Sequence, residues 1–170
     1  MVGTQTLVDL PANRHLAWDI KLLSQMPGLG GPEAIDWDEH GRWIRLRHFP
    51  LPKGKFGFSA SETYLDIMVP ADYGERAGFG AGLEEFYVDR NLKVRVGGNW
   101  VEIPHTYTQL DRRGGRASGL LHRYVCLHID WCPRPRGRNP NAVGDTVLTS
   151  LNLLKLMLRD PWTFAKQHGG

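Results

Sequence analysis

Apolar residues recur along this chain with two periods, one helical and one of strands. Leu16, Ile20 and Leu23 stand at i, i+4 and i+7 behind Pro11 until Pro27-Gly28 ends the pattern, which predicts an amphipathic helix over residues 11–26. Gly28-Leu29-Gly30-Gly31-Pro32 then reads as a linker; with no strand before it and no Lys-Ser or Lys-Thr after it, it is not a phosphate loop. Runs 34–37 and 43–48 form an expected hairpin through Asp38-Glu39-His40-Gly41, with Ile44 and Leu46 alternating against Arg45 and Arg47. Phe49-Pro50-Leu51-Pro52 opens a loop to about Ser61, and Leu65, Ile67 and Val69 alternate with Tyr64, Asp66 and Met68 in a third strand. Short strands are expected at 85–88 and 92–96, around the turn Asp89-Arg90-Asn91. Residues 100–119 carry no period and read as a long functional or mobile loop.

The last strong pattern is Val147, Leu151, Leu154 and Leu158, with Thr149, Asn152, Lys155 and Arg159 on the other side. It predicts a helix over 145–160, with Asp145 as N-cap and Pro161 as its stop. Strands followed by a cysteine segment and a helix imply an α+β fold, an antiparallel sheet flanked by helices.

With 170 residues the chain is expected to form one domain, 1–170, whose core spans about 34–162 and needs no disulfide or metal. A hydrophobic content of 41% against 23% charged residues excludes general disorder. No basic segment followed by an apolar run opens the chain and no long apolar span occurs, so a cytoplasmic location without membrane association is expected. Cys126 and Cys132 are then reduced thiols. The net charge of +3 is modest, but arginines gather at 112, 113 and 116 and again at 134, 136 and 138, on both sides of the cysteines. They read as solvated charge, as a docking surface for an acidic partner, or as a field that ionises a thiol. They lack a nucleic-acid reading motif, so no nucleic-acid partner is expected.

If residues 124–129 are extended, Val125, Leu127 and Ile129 face the core, while Tyr124, Cys126 and His128 face the other way. Cys126 is then a nucleophile beside His128 and near Arg123, or else a small buried hydrophobe. Cys132, within Trp131-Cys132-Pro133, is the second candidate thiol. Cys126, His128 and Cys132 could also make three zinc ligands with His105 or His122 as a fourth, though Cys-x-His-x-x-x-Cys is not a standard metal spacing.

The order Cys126-Leu127-x-Ile129-x-Trp131-x-Pro133, then Thr146-Val147-Leu148-x-Ser150 with Leu154 and a closing Asp160-Pro161, resembles the core of ubiquitin-conjugating enzymes. Pro70-Ala71-Asp72-Tyr73 resembles the Pro-x-x-Tyr turn after their third strand, with Gly74 in place of the usual proline or phenylalanine. Phe49-Pro50-Leu51-Pro52-x-Gly54 and Phe86-Tyr87-Val88-Asp89 resemble segments of a compact prokaryotic branch, encoded with an activating-like enzyme and a deubiquitinase-like protease in antiphage systems. The resemblance covers about residues 37–162 and implies the ubiquitin-conjugating fold without the two C-terminal helices of eukaryotic members.

It also implies a function. Cys126 would accept a ubiquitin-like protein from an activating enzyme as a thioester and pass it to an amine on a protein target, without cofactor, nucleotide or metal. Arg123, Arg134, Arg136 and Trp131 are the expected partner-binding positions. The family's His-Pro-Asn before the cysteine is missing; Ala117-Ser118-Gly119-Leu120 stands there. Ser118, His122 and His128 are the candidate substitutes, and Asp145 could orient the attacking lysine. The rival reading is a catalytically silent member of this fold that binds a ubiquitin-like protein or the activating enzyme.

Overall fold

The computed structural model describes residues 9–110, 121–133 and 144–168. Its elements are α1 (Arg14–Gln25), β1 (Ile35–Trp37), β2 (Trp43–Pro50), β3 (Glu62–Met68), β4 (Glu85–Val88), β5 (Val94–Val96), β6 (Asn99–Val101), β7 (Tyr107–Leu110), β8 (Leu121–Cys126), α2 (Val147–Arg159) and α3 (Pro161–His168). Among the described residues the fold is α+β: a six-stranded antiparallel sheet in the order β1-β2-β3-β4-β8-β7, a separate β5-β6 hairpin, three α-helices and a short 3-10 turn at Pro32–Ala34.

Two rows of side chains, in register across the strands, show how alternation divides the sheet. Trp37, Ile44, Ile67, Phe86 and Val125 are successive neighbours and all are buried. They join one apolar cluster with Leu16, Ile20 and Leu23 of α1 and Val147, Leu151, Leu154 and Leu158 of α2, so the helices cover that face. One residue along each strand lies the second row, Asp36, Arg45, Asp66, Tyr87, Tyr124 and Tyr107. It forms a polar face whose charges are matched: Arg45 holds fully buried Asp66 through bonds of 2.5 and 2.7 Å, and Arg47 holds Asp36.

Helix boundaries differ from the predicted ones because local capping chemistry sets them. Asn13, not Pro11, opens α1, its side chain accepting from His15 N and Leu16 N. Thr146, not Asp145, caps α2: its hydroxyl accepts from Leu148 N–H, and its own N–H donates to Thr149 Oγ1 in a capping box. Pro161 does end α2, yet it also occupies the first position of α3, where its missing N–H is harmless. One further helix therefore follows where none was expected. The segment 100–119, expected to be irregular, contributes β7 and the end of β6; their three to four residues are too short to show a period.

Buried Asp19 joins three of these elements. It lies on α1, accepts the Tyr73 O–H from the turn after β3, and accepts Val147 N–H of the first turn of α2 at 3.2 Å. Replacing it with alanine strands buried donors, so Asp19→Ala is expected to lower unfolding free energy by about 2–4 kcal/mol in urea denaturation. Asp72→Ala, which removes only an exposed contact to Arg76, is expected to leave the midpoint in place.

Candidate functional site

Cys126 is the last residue of β8 and lies opposite Glu85 of β4. Val125, Leu127 and Ile129 turn into the core, leaving Cys126 half-buried and His128 exposed on the other side. Beyond Cys126 the chain leaves the sheet as a strap anchored at nearly every residue. The Cys126 carbonyl accepts from His105 Nε2 at 2.9 Å, and Leu127 N–H donates to the Glu84 carbonyl at 3.0 Å. Ile129 N–H donates to the Glu84 carboxylate at 2.7 Å, while Trp131 exchanges backbone bonds with Gly78. Finally Cys132 N–H donates to Asp145 Oδ2 and its carbonyl accepts Asp145 N–H, both at 2.7 Å.

Only glycine fits beneath the bend in this strap. A Cβ at Gly82 would lie 2.1 Å from Trp131 Cε3, so the indole rests directly on backbone. Trp131, 1% exposed, also meets the Tyr73 ring at 5.7 Å. It is a core residue and not the partner-binding position the sequence suggested. His105 is backed by Phe164 of α3, ring centroids 5.5 Å apart, so the unexpected helix buttresses the residue that holds the Cys126 carbonyl.

The electrostatics around the thiol also reverse an expectation. Burial pushes the Cys126 thiol up from its ordinary range and the charges of Glu84 and Glu85 push the same way; hydrogen bonds from the His128 backbone and the Tyr124 side chain pull against them. Burial, with Cys126 and Glu85 nearby, likewise keeps the Tyr124 phenol protonated. Arg123 does not supply a compensating charge. The alternation that turns Val125 inward turns Arg123 to that same face, where it is 3% exposed, donates to Arg90 O and Thr106 Oγ1, and pairs with Glu102. As a partner-binding surface it is therefore corrected as well.

The other expected site residues divide clearly. His128 Nδ1 stands 3.8 Å from Cys126 Sγ. His122 is buried four residues back along β8, its Nδ1 2.6 Å from Tyr64 Oη, about 13 Å from the thiol by strand rise. Asp145 secures the backbone of exposed Cys132 in place of capping α2. Ser118, Arg134 and Arg136 lie outside the described residues. Among the described residues no group of three or more His, Cys, Asp and Glu side chains is placed to hold a metal ion. Glu84, Glu85 and the anchoring role of His105 escaped sequence reasoning. The Glu84-Glu85 doublet before Phe86 was the available signal, because neighbouring strand positions face opposite ways and one carboxylate had to turn inward.

No family model matches this chain, and neither a curated protein nor a solved structure is significantly similar to it.

The charge at Glu85 is expected to restrain the thiol. In a Cys132→Ala background, Glu85→Gln removes a negative neighbour, lowers the thiol pKa and should speed iodoacetamide alkylation of Cys126 at about pH 8 by roughly two- to threefold, less at high salt. Equal rates in kinetic mass spectrometry would show that Glu85 does not act on the thiol.

Proposed function

We propose that this chain is a ubiquitin-conjugating-type carrier, a single-domain cytoplasmic protein that receives a ubiquitin-like protein from an activating enzyme on Cys126 and passes it to an amine of a protein target. One observation carries the reading. Cys126 ends a strand whose flanking apolar residues are locked in the core, while its sulfur faces outward at the head of a strap whose backbone is fixed on both sides. A carrier thiol needs this combination, because a mobile acyl-bearing loop would lose the orientation that makes transfer effectively intramolecular. The Pro70–Tyr73 turn, with Tyr73 N–H bonded to Pro70 O, and the Trp131 bend packing on that tyrosine bring the resembling motifs into one contact.

In this reading the activating enzyme supplies adenylation, so the carrier's own task is two acyl exchanges. The incoming thioester carbonyl meets the Cys126 thiolate, the acyl group moves to Sγ, and an amine then displaces it. The elevated thiol pKa favours a second reading, a silent binding module of the same fold, in which Cys126 serves only as a partly buried apolar residue.

Incubation with the activating-like enzyme and ubiquitin-like protein from the same genome, plus ATP, separates the two. A carrier gives an adduct on non-reducing gels that thiol reagent cleaves; Cys126→Ala abolishes it and Cys132→Ala retains it. Binding of the ubiquitin-like protein without any adduct establishes the silent module.

A further inference from the structure

His128 adopts φ +48°, a left-handed conformation natural to glycine and costly for most side chains. The cause is visible on both sides. Leu127 N–H is tied to the carbonyl of Glu84 and Ile129 N–H to the carboxylate of the same residue, itself 4% exposed. Holding two alternate residues to one partner forces the residue between them out of the strand. Glycine would meet that backbone demand at lower cost, yet the position carries an imidazole whose Nδ1 is 3.8 Å from Cys126 Sγ. The ring is exposed, so a proton received at Nδ1 can be released to solvent or to a reaction partner.

We infer that His128 is the base that takes the Cys126 thiol proton, and that Glu84 is the residue that positions it. The inference rests on Cys126 being the acyl acceptor. In the exchange the Sγ proton passes to Nδ1 and the thiolate attacks the carbonyl carbon of the incoming thioester. A new C–S bond forms, the bond to the activating enzyme's cysteine breaks, and the departing thiolate takes the proton back from the imidazolium. Nothing is oxidised or reduced. A base is needed because burial and the carboxylates of Glu84 and Glu85 hold the thiol in its protonated form against the hydrogen bonds from Tyr124 and the His128 backbone; Tyr124 itself stays protonated and can only donate, and His105 is engaged with the Cys126 carbonyl.

The test reads alkylation of Cys126 by iodoacetamide in full-length Cys132→Ala protein from about pH 5 to about pH 10, a reaction that needs no partner. The parent should show two inflections, a first that depends on the His128 imidazole and a second at high pH from direct thiol ionisation. His128→Gln and His128→Gly should both lose the first inflection and react about tenfold more slowly near pH 7.5. His128→Gly should do so without loss of melting temperature, since glycine suits the left-handed backbone. Glu84→Gln keeps an oxygen for Ile129 N–H and should retain the first inflection while lowering the second, whereas Glu84→Ala should lose the first. Superimposable profiles for parent and both His128 variants would overturn the base assignment, and loss of the first inflection in Glu84→Gln would overturn the positioning role. A histidine inflection in a protein that never forms the thioester would leave the dyad standing and remove the carrier function.

Discussion

A buried carboxyl group at Asp19 is the tie on which the geometry depends. It receives the Tyr73 hydroxyl and the Val147 amide, so α1, the turn after β3 and the first turn of α2 meet at one residue. Asn13, the cap of α1, adds a bond from its side-chain amide to the Tyr73 carbonyl at 2.9 Å. Tyr73 in turn backs Trp131, and Trp131 sits on the bare backbone of Gly82. An unpaired donor in such a place costs its full desolvation, which is why the linkage is specific as well as stabilising.

From that point rigidity passes to the thiol through main-chain hydrogen bonds. Glu84 occupies two consecutive anchor points and His105 a third, with α3 behind it. The strap is therefore fixed before and after the cysteine, and the left-handed turn at His128 follows from how Glu84 holds its two neighbours. The site's most local feature is set by a residue more than forty positions earlier in the chain.

Much of this was legible in the sequence because alternation and helical spacing encode burial directly. Leu16, Ile20 and Leu23 of α1, the 34–37 and 43–48 hairpin, and the split of residues 124–129 between two faces all follow from period alone. Strict alternation also places Arg123 away from Cys126; proximity in sequence was the misleading cue. What stayed hidden were relations of register. That Glu85 lies opposite Cys126, or that Glu84 reaches Ile129, depends on β4 pairing with β8 across a segment whose described residues contain three other strands. Asp145 was the expected cap, and only the hydrogen-bond geometry shows that Thr146 takes that place while Asp145 holds Cys132.

The carrier reading unites an outward-facing thiol, a fixed strap and a neighbouring imidazole in one exchange reaction. Its most direct test is the state of the cysteine in the cell. Protein recovered from its native host under acid, non-reducing conditions, digested and mapped by mass spectrometry, is expected to carry the C-terminal remnant of a ubiquitin-like protein on the Cys126 peptide, released by neutral hydroxylamine. An adduct confined to Cys132 or to a lysine, or a Cys126 peptide found only as the free thiol while the ubiquitin-like protein is being conjugated, would contradict it.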